Sequence, residues 1–293
     1  MTSTYDPVAR FADEMIARGI GLPSKGISPD GELHRFQGEG DKRGCLNAWY
    51  VLYLHPIPCG AFGNWRLGAT FRWKDRDCSI TPHIEHQFRQ IQRERNFSRK
   101  AAQEAAALKA AKLVESSDAA TLDHPYLIAK RIKRTHNARN SMGNLLIPLQ
   151  DVDGKIWNTQ TIDESGQKRF AKSARIQSCF ALFGSLSNGS PLLICEGWAT
   201  AATLFEREGL PTLAAMNAGN LLPVALAVRS KWPDRVLMIC GDDDRFTEGN
   251  PGRTKANEAA LAANASVAFP SFGPGDFGTD FNDQYLTNQG GSA

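Results

Sequence analysis

The sequence predicts an α/β protein whose C-terminal part is a parallel sheet flanked by helices, and three observations predict it. Two short continuous apolar runs, Pro191-Leu192-Leu193-Ile194-Cys195 and Arg235-Val236-Leu237-Met238-Ile239-Cys240, have the length and composition of strands buried on both faces. From Gly184 onward, segments of helical spacing alternate with such runs. Carboxylates follow both runs directly, Glu196 after the first and Asp242-Asp243-Asp244 behind Gly241 after the second.

The elements ahead of that region differ from it. Phe11, Met15 and Ile16 give a helix that stops at Gly19 and Gly21, with Pro23 beyond. From Gly31 to Trp73, the β-formers Trp49-Tyr50-Val51-Leu52-Tyr53-Leu54 and the punctuation of Pro56, Pro58, Gly60, Gly63 and Gly68 predict a small β-rich module. Its rings, Trp49, Tyr50, Tyr53, Phe62, Trp65, Phe71 and Trp73, stand among Arg66, Arg72 and Lys74. Rings with basic neighbours suit single-stranded DNA. Aromatics at strand spacing usually fill cores, however, and that is the expectation for most of these.

Residues 83–117 read as a polar connecting helix with little apolar surface; its Arg93, Arg95, Arg99 and Lys100 are candidates for phosphate contact. His124-Pro125-Tyr126-Leu127 opens a short helix that ends in the basic tract Lys130 to Arg134. Strands at Leu145–Leu149 and Lys155–Gln160 flank the turn Asp151-Val152-Asp153-Gly154. A further strand, Thr159–Ile162, and the turn Ser165-Gly166 lead to Lys168-Arg169-Phe170-Ala171-Lys172. Beyond Gly184, strands are expected at 191–195, 212–215, 235–240 and 266–269, and helices at 199–208, 221–232 and 255–264. The expected organisation is therefore a β-rich N-terminal module (1–82), a helical linker (83–117), a mixed α+β basic lobe (118–189) and the α/β domain (190–293).

With 293 residues, 42% of them hydrophobic, there is core enough for one large domain or a few small ones. The net charge of +3 does not by itself announce a nucleic-acid binder, but basic residues crowd between Arg89 and Lys172 while acids cluster near the C-terminus. The six cysteines form no C-x-x-C pair, so no zinc site is expected. Cys195 and Cys240 are expected in the core. No signal-peptide pattern opens the chain and no apolar stretch is long enough to span a bilayer, which makes the cytoplasm, with free thiols and no membrane partner, the expected setting.

In a parallel sheet the carboxyl ends of strands open onto the ligand crevice, so Glu196 is expected to project into it, with Gly197 allowing a sharp turn into the following helix. Asp242-Asp243-Asp244 should do the same from the neighbouring run. Carboxylates from two strand ends can share a hard cation such as Mg²⁺. The bland alternative is that each merely caps a helix. Clustered acids behind an apolar strand repel one another unless a cation offsets them, which favours the metal.

These residues carry a resemblance. Leu193-Ile194-Cys195-Glu196-Gly197-Trp198-Ala199-Thr200-Ala201 and Met238-Ile239-Cys240-Gly241-Asp242-Asp243-Asp244 resemble the glutamate-glycine and Asp-x-Asp motifs of Toprim domains. Thr279-Asp280-Phe281-Asn282-Asp283 resembles the third acidic motif of Toprim primases from phages, plasmids and integrative elements, and Asn250-Pro251-Gly252 with Lys255 and Ala256 matches the segment after Asp-x-Asp in that group. Upstream, His124-Pro125-Tyr126-Leu127, Leu145-Ile147-Pro148-Leu149-Asp153-Gly154, Gln160, Gly166, Lys168-Arg169-Phe170 and Phe183-Gly184 resemble the basic lobe of bacterial-type primases. The likeness runs from about residue 118 to 287.

The resemblance implies a DNA primase, a nucleotidyltransferase that makes short primers on a single-stranded DNA template from nucleoside triphosphates. It implies Glu196, Asp242 and Asp244 as catalytic and metal-binding residues, with Asp280 and Asp283 completing a site for Mg²⁺ or Mn²⁺. Asp243 would be the variable middle position. Lys168, Arg169, Lys172, Lys255 and Arg139 would bind nucleotide or template phosphates. Many such primases begin with a zinc-binding template reader, and this chain departs from that pattern. Toprim domains also serve topoisomerases and nucleases. No separate domain here could carry a topoisomerase tyrosine, so a metal-dependent nuclease and a non-enzymatic single-stranded-DNA-binding accessory protein are the alternatives. No P-loop is present, which makes a replicative helicase a candidate partner.

Overall fold

The computed structural model describes residues 6–75, 82–187 and 189–290, in two compact units, Met1–Phe97 and Ser98–Ala293. Cys78 lies outside the described residues.

The first unit holds α1 (Pro7–Ala17) and a four-stranded antiparallel sheet of β1 (His34–Phe36), β2 (Ala48–Tyr53), β3 (Cys59–Asn64) and β4 (Ala69–Lys74), in that order. Asp6 caps α1 by accepting the Val8 N–H at 2.9 Å, and Pro7 stands in the first turn, where its missing N–H costs nothing. Phe11 and Met15, four apart, are buried against Tyr50, Leu52 and Phe62. Ile16, which the sequence puts on the same face, is 55% exposed; Ile20, past the helix end, fills that space. Ala48, Tyr50 and Leu52 point into this core, so the intervening Trp49, Val51 and Tyr53 point away from it.

α2 (Pro82–Ser116) is the long helix the composition predicts, solvated except near its C-terminal end, where Ala107, Ala110 and Val114 are buried. In the second unit, β5 (Asp118–Ala119), α3 (Pro125–Ala129), β6 (Arg139–Ser141), β7 (Asn144–Gln150), β8 (Ile156–Ile162) and β9 (Lys168–Phe170) follow, the five strands forming one antiparallel sheet in sequence order. The expected strands 155–160 and 159–162 are one continuous strand, β8, paired along its length with β7. Asp151 builds the turn between them: its carboxylate accepts the N–H groups of Asp153 and Lys155 and the Trp157 indole N–H at 2.6 Å.

The remainder is β10 (Ala181–Phe183), β11 (Leu192–Cys195), α4 (Trp198–Glu208), β12 (Thr212–Ala214), α5 (Ala218–Lys231), β13 (Leu237–Cys240), α6 (Pro251–Ala262), β14 (Ser266–Ala268) and α7 (Phe281–Gly290). The sheet runs β10-β12-β11-β13-β14, with β11, β12, β13 and β14 parallel. It is not purely parallel: the short β10 joins the edge antiparallel to β12. Leu192, Ile194, Leu213 and Ile239 face α5 and α6; Leu193, Cys195, Ala214 and Cys240 face α4. The α4-side core also contains Leu145, Ile147, Leu149 and Ile162, so the antiparallel lobe and the parallel sheet share one hydrophobic core. Cys195 and Cys240 are buried. Among the described residues no helix is long and apolar enough to cross a membrane.

Candidate active site

β11 and β13 are neighbours in register, Cys195 opposite Cys240, so the residues after them leave the sheet at one edge. Glu196 there has its carboxylate held by the N–H of Ala218, at the start of α5. Burial and the nearby Asp244 nevertheless push its pKa up. Gly197 adopts φ −91°, ψ 150°, which any residue can adopt, so backbone freedom is not its contribution as the sequence suggested; a side chain there would press on the Thr200 hydroxyl at 3.1 Å. Gly241 is needed for space, because a Cβ would meet the Ala256 Cβ at 2.4 Å and the Phe269 ring at 2.6 Å.

The three aspartates that follow have three different surroundings. Asp244 accepts the Gly252 N–H at 2.8 Å in the first turn of α6. Asp243 points outward to Arg253 Nε and Asn250 Nδ2, both at 2.7 Å, and these contacts draw its pKa down. It clamps the start of α6. Asp242 is partly buried, and its Oδ1 is buried with no hydrogen-bond partner. Burial, then Glu196, Asp280, Asp244 and Asp283, push its pKa to about 8.

Asp280 and Asp283 cap α7, a helix the sequence did not predict. Asp280 Oδ1 accepts the Asp283 N–H at 2.8 Å and Asp283 Oδ2 accepts the Thr279 N–H at 3.1 Å. The other Asp283 oxygen pairs with Lys130 Nζ at 3.3 Å. Asn282, fully buried, donates to the Lys130 carbonyl and the Thr203 hydroxyl, both at 2.8 Å, and so ties α7 to the basic tract.

Lys168 on the edge strand β9 lies in the field of Asp280, Glu196 and Asp242. Its ammonium sits 5.5 Å from the centroid of the Tyr126 ring and makes no ion pair or hydrogen bond among the described residues. Burial and the neighbouring Lys130 lower its pKa. Arg169 and Lys172 are exposed beside it, Arg169 donating to Gln167. The other two candidates lie apart. Lys255 pairs with Glu258 at 2.8 Å on the outer face of α6. Arg139 is exposed on β6, three strands from β9, roughly 14 Å at ordinary strand spacing.

Sequence reasoning missed two residues of this site, Lys130 as the partner of Asp283 and Tyr126 beneath Lys168. The Tyr126 hydroxyl is buried without a partner, and burial pushes its pKa to about 12. The signal was present in the His124–Leu127 motif and the basic run after it, but only the fold brings either beside residue 280.

Among the described residues no three His, Cys, Asp or Glu side chains stand close enough to hold an ion as placed. The chemistry of the donor set fits one all the same: a buried, unpartnered carboxylate oxygen among four further carboxylates is what a hard cation neutralises.

Residues 191–291 match the family model described as Toprim domain. The C-terminal region is thus similar to Toprim domains. Two Escherichia coli proteins, each named DNA primase TraC, are related to the chain. One is 37% identical over 92% of this chain and 27% of its own length, the other 35% identical over 92% and 20%. The chain thus spans about a quarter or less of those relatives. The primase fragment of the bacteriophage T7 primase-helicase protein aligns at 20% identity and a TM-score of 0.38, covering 52% of this chain and 62% of that one, too low to establish a common fold. The acids after β11 and β13 and those opening α7 all fall within the Toprim region.

Proposed function

We propose that the chain is the catalytic part of a DNA primase, forming short primers on single-stranded DNA from nucleoside triphosphates. The observation that carries this reading is Asp242, whose Oδ1 is buried and unpartnered, with Glu196, Asp244, Asp280 and Asp283 around it. Identity to the TraC primases over nearly the whole chain supports the choice of polymerisation.

In this reading residues 190–293 supply the carboxylates and residues 118–189 the cations. Glu196, Asp242 and Asp244, backed by Asp280 and Asp283, would hold Mg²⁺ or Mn²⁺, which supplies Lewis-acid chemistry for the attacking 3′-hydroxyl and the leaving pyrophosphate. Lys168 faces the carboxylates with no partner of its own, so its ammonium is available for a triphosphate oxygen. Lys130, pinned by Asp283, sets the positive end of the site. Arg169 and Lys172 continue the positive edge towards a template strand. Arg139 and Lys255, remote from Lys168 or already paired, would contact template outside the reacting nucleotide. Such work belongs in the cytoplasm, beside a replicative helicase that opens the duplex.

The test is primer synthesis on a single-stranded template with labelled nucleotides, comparing wild type with Asp242→Ala. Extension products lost in the variant support the reading. Degraded template in place of extension identifies a nuclease, and DNA binding with neither product identifies an accessory protein.

A further inference from the structure

The outer face of the N-terminal sheet has no part in the site above. Strand register places three rows of side chains on it. The first is Arg35, Trp49, Gly63 and Thr70; the second Val51, Ala61 and Arg72; the third Tyr53, Cys59 and Lys74. The middle of the face is small and flat. Gly63 is required there, because a Cβ would strike the Ala69 carbonyl oxygen at 2.1 Å and the Trp49 ring at 3.1 Å. Trp49 lies over Gly63, and Trp65 from the β3–β4 turn stacks on it at 5.9 Å with an interplanar angle of 22°. Trp65 is 48% exposed.

Cations surround these rings. Arg35 lies over Trp65 at 4.6 Å and Arg95 over Tyr53 at 4.4 Å. Arg72 and Lys74 are exposed and have no ion-pair partner among the described residues. Acids around the sheet are largely engaged: Asp41 by Arg66 Nε at 2.7 Å, and Asp30 by His34 at 2.9 Å and Ser28 at 3.0 Å. Of the acids that line one pocket with Arg72 and Lys74, Glu14 is paired with Arg18 and Asp75 with Arg10, both at 2.9 Å, and Asp13 is the third. A core role cannot explain the outward rings, because the inward set of Tyr50, Phe62, Phe71 and Trp73 already packs against Phe11.

We propose that this sheet face is a second nucleic-acid site that holds single-stranded DNA, with a base stacked on the exposed Trp65 ring and phosphates met by Arg35, Arg72 and Lys74. Exposed rings interleaved with unpaired cations are what an unpaired strand recognises, since every base has a π-face and every phosphate a charge. An acidic protein partner would use the cations and leave the rings idle; an apolar one would do the reverse. The choice of DNA over RNA rests on the primase reading. The existence of the site does not.

The experiment measures binding of fluorescein-labelled (dT)20 to the full chain by anisotropy, without divalent metal or nucleotide, over a range of NaCl. Trp65→Ala should weaken binding about tenfold, within the range for losing one stacked base, and Trp65→Phe should restore most of it. Arg72→Glu should weaken binding and flatten the dependence of log affinity on log salt by roughly one charge. Circular dichroism checks the fold of each variant, and Arg72→Glu on the open sheet face decides the matter if Trp65→Ala does not fold. Affinity and salt slope equal to wild type in both variants would overturn the site. So would losses confined to (rU)20, which point to RNA, or a variant that changes only self-association, which points to a second copy of this chain. The two proposals fail separately. Loss of (dT)20 binding in a chain that makes no primers keeps this site and removes the primase reading; primer synthesis with unaltered binding does the opposite.

Discussion

Two aspartates, one in each unit, go opposite ways. The Asp41 side chain is fully buried, and burial alone would raise its pKa. Arg66, Asn47 and the Gly38 N–H all donate to it, and together they hold it below the ordinary carboxylate range. The Asp242 Oδ1 is also buried, but its neighbours are four more carboxylates and it has no donor, so burial and those charges raise the pKa to about 8. The difference teaches how to separate structural acids from working ones. An acid that builds the fold brings its own donors, whereas one kept for a ligand is left short of them at a cost in stability.

The largest effect that could break this contrast is on activity. Glu196→Gln or Asp242→Ala should lower primer synthesis roughly a hundredfold or more, since the stabilisation at stake is several kcal/mol, with no loss of thermal stability. Asp41→Ala should instead unfold the N-terminal unit more easily and leave the acidic crevice intact. Retained synthesis in Asp242→Ala would reduce the crevice to a strained piece of scaffold.

Next in size is the nucleotide. Lys168→Ala should raise the nucleotide KM roughly tenfold or more, the value of a charge-assisted hydrogen bond, with Lys168→Arg intermediate. Steady-state kinetics at fixed template checks this, and Lys255→Ala, already paired with Glu258, should do much less.

The contrast also sets a pH dependence. Between pH 4 and about 8 folded Asp242 keeps its proton while the unfolded chain has lost it, so the folded state binds more protons and stability falls as pH rises. The metal-free protein should lose about 2 kcal/mol from pH 6 to pH 8, and Asp242→Asn or saturating Mg²⁺ should remove most of that loss. Urea melts at both pH values measure it, and a flat profile would contradict the crowding.

The smallest predicted effect concerns the middle aspartate. Asp243→Ala loses Arg253 and Asn250, which should cost about 1–2 kcal/mol at this partly exposed pair. Activity should stay within a few fold of wild type, because this carboxylate points away from the crevice.

Much of the parallel sheet was legible because β11 and β12 are short apolar runs buried on both faces, β13 is buried except at Met238, and Gly209 marks the end of α4 in the left-handed region at φ 67°. The crowding of Glu196 with Asp242 and Asp244 was legible for the same reason, since strand ends dictate where the next side chain goes. Helix α7 was not. Its Phe281–Gly290 segment has few apolar residues and no apolar stripe; Phe281 packs against the core, and the Asp280–Asp283 caps and the buried Asn282 hold the rest. Edge strand β10 is three residues long and gives no periodic signal. α6 starts at Pro251, four residues earlier than expected, because Asn250 accepts the Arg253 N–H and Asp244 the Gly252 N–H. In the N-terminal module the alternation of rings was visible, but which set faces the core depends on where α1 docks, and that is tertiary information.

Divalent-ion uptake tests the central claim most directly. Mn²⁺ titrated into the full chain near neutral pH, with free ion followed by electron paramagnetic resonance, should show uptake by wild type that is lost in Asp242→Asn and Asp244→Asn and kept in Asp243→Asn. Equal uptake by all four proteins, or none by wild type, would mean that the crowded carboxylates are not there for a metal.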